Sequence, residues 1–483
     1  MSSTVQPKVR ENFLDYIWDK LIMPQAGYSF SKNHTVPYSI VAIQEGVLAT
    51  KYPSQYWNGA VLSVNSGSTA EDGSTDYSKI AKAVSSMQAD GVNITLPSIN
   101  SSDLGFSPHK TENKILYGLS AIQTINHEIA NEIINNRPYV DFRDFYDRIY
   151  QKKLIKKGAM VNLIKSGVFD DFDERFDIMK EFITLEYEEK TSLNMQNWAR
   201  ITSLGLSQSN EYISYLATFK SLLDEVKKHK KGIVETFVKP KDSHILLPEM
   251  VLGWYMDNVT TEDRMGFEVD IVDEVPVVSL KNLEKFIKKK IEPIKDWLGK
   301  ASTLQMYNNS CKNEMWNDIA LGSYAEWEMK TLCYYHSPHP LLTVDRDRYG
   351  FKNFFDMNPI PQKVGRSIPL ERIFGTVIDK NKDKNIVTLL TTDGVVTCKY
   401  YAGSFENFNK RITRPVGKTG KSEVVEQSWF TRGNYIALVG FRRDDQFIIR
   451  SQKRVVGLEH STMLITNITS DGGIYLKEQR ERG

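Results

Sequence analysis

At 483 residues the chain is long enough for two to four domains, at roughly 100–200 residues each. Its 41% hydrophobic and 25% charged content is that of an ordinary globular protein, and 62 basic against 60 acidic residues exclude a simple polycation that coats nucleic acid. No run approaches the ~18 apolar residues of a membrane helix, and the opening MSSTVQPKVRENF lacks the apolar core of a secretory signal. A cytoplasmic location, in a bacterial cell or in the host of a virus, is therefore expected, with no membrane partner. Cys311, Cys333 and Cys398 lie far apart without metal-ligand spacing, so free thiols and no metal site are expected.

Phe13, Ile17 and Leu21 recur at helical spacing, Val36 to Leu48 is mostly apolar, and Tyr52 to Leu62 is aromatic-rich; all three read as helices. Tyr77 to Ala89 follows as a helix with Gly91 placed to cap it, then Val92 to Leu96 alternates like a short strand. Ile115, Leu119 and Ile122 precede a break at Asn126-His127, and Ile129, Ile133 and Ile134 continue on a second helix. Phe142 to Ile149 and Met160 to Ile164 suggest a further helical pair ending at Gly167. The middle of the chain shows two basic runs, 227–231 and 285–290, each on an amphipathic helix. A charge run there reads first as a solvated face.

From Arg372 the texture turns to strands. Ile373 to Ile378, Ile386 to Leu390 and Val395 to Tyr401 come first, the last two split by Asp393-Gly394. A helix over Ser404 to Lys410 and a Gly/Lys-rich loop over Pro415 to Ser422 precede strands at Tyr435 to Gly440 and Phe447 to Arg450. Five short strands with a helix between the third and fourth predict an OB-fold barrel, a fold used to bind single-stranded nucleic acid. The run Gly417 to Ser422 imitates a phosphate-binding loop, but that pattern needs glycine where Pro415 stands, and a strand-to-helix setting.

Residues 26–65 contain Gly27, Tyr28, Phe30, Lys32, His34, Tyr38, Lys51, Tyr52 and Pro53 in an order and spacing similar to the fingers of bacterial DNA polymerase III alpha subunits, the family C polymerases. GVNITLPSINSSDLGF resembles the segment after those fingers. ILYGLSAIQTINHEIANEIINNRPYVDFRDFYDRI with LIKSGVFDDF resembles the family's helix-hairpin-helix region, and EMKTLCYYHSPHPL resembles the element ahead of its OB domain. The resemblance covers roughly residues 11–176 and 325–455.

It implies a multidomain α+β chain, with mostly helical fingers and helix-hairpin-helix parts followed by an OB-fold β-barrel. The expected divisions are a fingers-like domain at 1–110, hairpins at 111–176, a divergent, mostly helical connector at 177–365, the barrel at 366–460 and a tail at 461–483. It also implies that Lys32, His34 and Tyr38 contact the triphosphate of an incoming dNTP. A lysine brings fixed charge and a histidine brings one or two hydrogen bonds to phosphate oxygens. Expected contacts to primer-template or single-stranded DNA are Asn126, His127 and Lys165 in the hairpins, and Lys399, Lys418, Lys421, Arg442 and Arg443 in the barrel.

Asn126 stands where the family's hairpin has glycine, and asparagine tolerates left-handed backbone; a purely structural hairpin is the alternative. Phe374, Tyr400 and Tyr401 are stacking or core aromatics of the barrel. The family's palm aspartates hold two metal ions and precede the fingers. No catalytic residue and no bound cofactor are therefore expected in this chain, and a palm-bearing polymerase chain with Mg2+ is the expected partner. Gln305-Met306-Tyr307 only faintly resembles a sliding-clamp peptide. The chain reads as half of a split polymerase or, alternatively, as a non-catalytic DNA-binding accessory protein.

Overall fold

In the computed structural model the described residues are 7–23, 32–66, 75–89, 91–231, 236–239, 242–365, 367–401, 403–416, 421–450 and 461–480. They divide into one unit of Met1–Ile178 with Gly322–Gly483 and a second of Met179–Leu321.

The first unit opens with helices Pro7–Ile17, Lys32–Lys51, Ser54–Asn65 and Tyr77–Ala89. Gly91 takes the left-handed φ of 77° after the last of them, a conformation that glycine adopts without steric cost. Strand Asn93–Thr95 then pairs in parallel with Lys114–Leu116, which also pairs with Ser107–Pro108. Two chain segments touch closely behind this sheet: a Cβ at Gly118 would lie 2.4 Å from the carbonyl carbon of Gly105. The hairpin helices His127–Asn135, Phe142–Phe145 continuing as a π turn to Tyr150, and Lys157–Lys165 follow. Phe142, Phe145 and Phe169 meet edge to face at 5.0–5.2 Å in their core.

The barrel forms because its strands alternate. Along Gly394–Lys399 the side chains of Val396 and Cys398 enter the core, while Val395, Thr397 and Lys399 face outward. Strands Glu371–Asn381, Ile386–Thr391 and Gly394–Lys399 pair antiparallel in sequence. Tyr435–Arg443 returns beside the first and turns into Gln446–Ile449, which lies parallel to the third and closes the barrel. With helix Ser404–Asn409 between the third and fourth strands, this is the expected OB topology. Phe405 of that helix packs 5.1 Å from Phe430 at the barrel's core.

Two additions were not expected. Ile412–Val416 and Lys421–Glu426 pair as a hairpin on either side of the 417–420 stretch, which lies outside the described residues. Thr462–Ile468 and Ile474–Lys477 extend the sheet beyond Tyr435–Arg443, so the segment read as a tail carries two strands.

Helices Tyr77–Ala89 and Tyr324–Thr331 lie on the barrel's outer wall. Ala81, Ala325, Met329, Cys333 and Tyr335 form one buried cluster with Ile378 and Leu390 of its strands.

The second unit has its own core, built around Phe219, Ile245, Tyr255, Phe267, Leu283, Ile287 and Trp297. Its four-stranded antiparallel sheet runs in the order Thr236–Lys239, Asp242–Leu246, Val275–Ser279, Glu268–Val272. The stretch 177–365, expected as mostly helical, also carries this sheet, and residues 322–365 belong with the first unit. The described parts of the basic runs sit as solvated faces: Leu283 and Ile287 point inward on Leu280–Lys290, and Lys227 and Lys288 both reach Glu284 at 2.9 and 3.0 Å. Among the described residues no helix is long and apolar enough to cross a membrane.

Candidate nucleic-acid interface

The first hairpin turns at Thr124, which adopts a left-handed φ of 71°. Asn126, expected in that role, is extended instead (φ −85°, ψ 175°) and caps helix His127–Asn135, its side chain accepting from the Ile129 N–H at 2.9 Å. Asparagine suits both positions, and capping wins here because its oxygen satisfies a first-turn donor that otherwise has no intrahelical partner. Asn162 of helix Lys157–Lys165 clamps the turn through Nδ2, which donates to the Gln123 carbonyl at 3.1 Å and Thr124 Oγ1 at 3.0 Å. The Gln123 N–H donates to the Thr331 carbonyl at 2.9 Å. His127 is the half-buried first residue of the helix, and Glu128 beside it places a carboxylate in the first turn. That charge opposes a phosphate at this helix end.

The second hairpin is built differently. Lys153 carries the left-handed φ of 60°, Ile155 is buried as the anchor, and Lys156 precedes helix Lys157–Lys165 without a side-chain cap. The first turn of that helix holds no acidic residue, and Lys152, Lys153, Lys156 and Lys157 are all exposed around it. Nothing lies within 4 Å of where a Cβ on Gly158 would stand. Uncapped N–H groups at a helix start, an open glycine and four lysines suit a backbone phosphate, bound without reading sequence. Sequence reasoning found this helix but missed those lysines; their signal is the spacing KKLIKKG, two lysine pairs around one buried apolar residue. It placed the contact instead at Lys165, which sits at the other end of the helix, half-buried, with Nζ 5.5 Å from the Trp327 ring centre.

Behind both hairpins lies a buried charge network. Glu328, fully buried, accepts from Arg175 Nη1 at 2.8 Å, from the N–H groups of His336 and Ser337 at 2.9 and 2.7 Å, and from Ser337 Oγ at 2.9 Å. Arg175 also pairs with Asp170 through Nε at 2.9 Å, yet burial pushes the Asp170 carboxyl up to about 6. His339 of the same element donates from Nε2 to the Leu390 carbonyl at 3.2 Å while Nδ1 accepts from the Leu341 N–H at 3.1 Å. That partner set assigns the neutral tautomer, and burial pulls its pKa down to about 4. The stretch EMKTLCYYHSPHPL thus joins hairpins to barrel.

In the fingers-like segment, Gly27, Tyr28 and Phe30 lie outside the described residues, as does the side chain of Lys32. Lys32 begins helix Lys32–Lys51, where His34 and Tyr38 are exposed and, four residues apart, share a face. In the barrel, Phe374 and Tyr400 are core residues; the Tyr400 hydroxyl meets Thr462 Oγ1 at 2.8 Å. Lys399 Nζ is held by the Lys384 carbonyl. Arg442 Nη1 donates to the carbonyls of Phe354, Phe355 and Met357 at 3.0–3.2 Å, while Arg443 is exposed. Lys418 and the side chain of Lys421 lie outside the described residues. Tyr401 is exposed with the Arg450 guanidinium 4.0 Å over its ring. Gln305, Met306 and Tyr307 lie inside helix Ala301–Ile319 with Tyr307 buried.

Comparison with known proteins agrees with this geometry. A helix-hairpin-helix motif model matches residues 91–177. The chain is 36% identical over 487 aligned residues to the DNA-directed DNA polymerase of Bacillus phage SPbeta, and equally to the probable DNA polymerase YorL of Bacillus subtilis, covering 97% of this chain and 36% of each relative. It is 32% identical over 181 residues to the DNA polymerase III subunit alpha of Borreliella burgdorferi, covering 36% of this chain and 15% of that protein. The chain therefore spans about a third of the length of the relatives it matches most fully. Over nearly its whole length the chain is similar to part of these phage and bacterial DNA polymerases, and over about a third of it to DNA polymerase III alpha subunits.

Proposed function

We propose that the chain is a DNA-gripping component of a DNA-directed DNA polymerase of the DNA polymerase III alpha kind. The observation that carries this reading is the uncapped, lysine-ringed start of helix Lys157–Lys165, which lies inside the matched helix-hairpin-helix stretch. Its N–H groups and lysines hold the backbone of primer-template DNA, and the barrel takes single-stranded DNA. Lys32, His34 and Tyr38 meet the dNTP triphosphate from the start of their helix. Phosphoryl transfer of this type depends chiefly on positioning and charge stabilisation, so a fingers helix contributes by holding the triphosphate in place.

On this reading the palm lies on another polypeptide. The Mg2+ that supports the transfer belongs, on this reading, to the palm, and the residues of this chain act on DNA and triphosphate alone.

The test is primer extension. The chain alone is expected to leave a primer unextended, and mixing it with a palm-bearing polymerase chain from the same genome is expected to restore synthesis. Charge reversal of Lys32 and His34 together should raise the KM for dNTP in that mixture. Restored synthesis with an unchanged KM would favour the accessory reading, in which the chain binds DNA and leaves the triphosphate to others.

A further inference from the structure

In a barrel of this topology the outward face of the second and third strands is the surface that takes nucleic acid. In this chain that face is occupied. Leu390 and Val395, register partners on Ile386–Thr391 and Gly394–Lys399, lie against Ala81 and Met329 of the two covering helices. Thr388, one step along the same face, is buried as well. Lys82 of helix Tyr77–Ala89 reaches across to donate to Thr397 Oγ1 at 3.1 Å.

What stays open lies one strand further round. A groove of about 500 Å³ runs between that helix and residues 354–355, within the range of roughly 300–1,000 Å³ typical of small-ligand sites. Thr397 and Gln446, register partners on parallel strands, form its floor. One wall is Phe355, 46% exposed despite being a large aromatic. Its ring rests on Gly394, where a Cβ would come 2.8 Å from it. Arg442 fixes this wall through the three carbonyl contacts of its Nη1 described above. Lys82 stands exposed on the opposite wall, and Asp445 sits at the rim.

The geometry points to this groove as the binding site for a single unpaired nucleotide of single-stranded DNA. The base stacks on Phe355, its edge meets the Gln446 amide, and the adjoining phosphate lies at Lys82 Nζ. A glutamine amide both donates and accepts, so it serves any base edge, and a fixed aromatic face is equally tolerant of sequence. The Lys82 and Arg442 cations beside the Asp445 carboxylate leave the groove only weakly positive, which suits one base turned out of the strand with its adjoining phosphate better than a continuous run of phosphates. The inference rests on the reading of the chain as a DNA-binding polymerase component, and moves the barrel's contact off the face that such barrels usually offer.

The full-length chain is titrated against a fluorescein-labelled oligothymidylate at one fixed salt concentration. Phe355→Ala is expected to weaken binding about tenfold, the loss one stacked base represents. Phe355→Tyr should restore it, and Gln446→Glu should weaken it. Because Phe355→Ala could loosen the ledge, ultraviolet crosslinking of the oligonucleotide to the unmodified chain provides a second readout, with the peptide containing Phe355 expected among the products. Unchanged affinity in Phe355→Ala, or crosslinks confined to peptides outside the groove, would overturn the site while leaving DNA binding by the chain intact. An unmodified chain that fails to bind the oligonucleotide would overturn both the site and the function it rests on.

Discussion

The two hairpins share a plan of helix, left-handed turn and second helix, yet they spend their polar groups in opposite ways. At the first, Asn126 caps its own helix, Asn162 clamps the turn, and Gln123 bonds to Thr331. At the second, the helix start has no side-chain cap, and the surrounding lysines face solvent. A hairpin whose donors are satisfied internally has little to offer a phosphate, whereas one whose donors stay open can bind it. Topology alone therefore does not say which copy grips DNA; the hydrogen-bond inventory does.

The largest expected effect comes from breaking the scaffold beneath both copies. Glu328→Ala leaves Arg175 with a buried charge and strips the His336 and Ser337 N–H groups of their acceptor. Removing one partner of a buried ion pair costs about 3–5 kcal/mol, so urea unfolding should show the first unit severely destabilised. A loss below about 1 kcal/mol, the worth of an exposed pair, would mean that the network does not anchor the hairpins.

A smaller effect depends on pH. Burial holds His339 down to about 4 against roughly 6.5 in the unfolded chain. The folded state thus favours the neutral ring, and its contribution is complete above the unfolded value. As pH falls from 6.5 toward 4 the unfolded chain binds a proton that the folded chain refuses, and stability is lost at up to about 1.4 kcal/mol per pH unit. Asp170, raised to about 6, acts with the opposite sign, its contribution falling as pH rises from about 4 to 6. The difference between the native chain and His339→Gln isolates the histidine, and the variant should show the flatter loss on acidification.

The barrel was legible because its signals agree: inward Val396 and Cys398 alternate with outward Thr397 and Lys399, and Asp393-Gly394 marks the turn between strands. The second unit's sheet was not. Its strand Val275–Ser279 lies between two others yet carries Pro276, a residue that argues against an inner strand because it cannot donate to the ladder. Strand Thr462–Ile468 buries Thr462, Met463 and Ile465 but leaves Thr466 and Asn467 exposed, so strict alternation fails there too. At the hairpins, sequence preference made Asn126 a candidate for the left-handed position, and only the backbone shows Thr124 in it. The lysines of the second hairpin were not singled out, since a short charge run by itself does not distinguish a presented edge from a solvated face. Burial of Ile155 and the turn at Lys153 mark this run as a presented edge instead.

The contrast between the hairpins can be measured directly with two variants in one DNA-binding assay. Replacing Lys152, Lys153, Lys156 and Lys157 by alanine removes up to four cations facing phosphate. Since each neutralised phosphate contributes about 0.9 to the slope of log affinity against log salt, the slope should flatten by roughly 2–4 units, with little change in unfolding midpoint because all four side chains are exposed. Asn126→Ala should do the reverse. It removes a helix cap worth about 1 kcal/mol, which thermal unfolding will register, while the salt slope stays where it was. The two readouts exchange places if the first hairpin is the grip: Asn126→Ala would then alter DNA affinity, and the lysine variant would leave the slope untouched. A variant pair that moves both readouts together would mean the hairpins act as one surface, because Asn162 ties the first turn to the helix that the lysines surround.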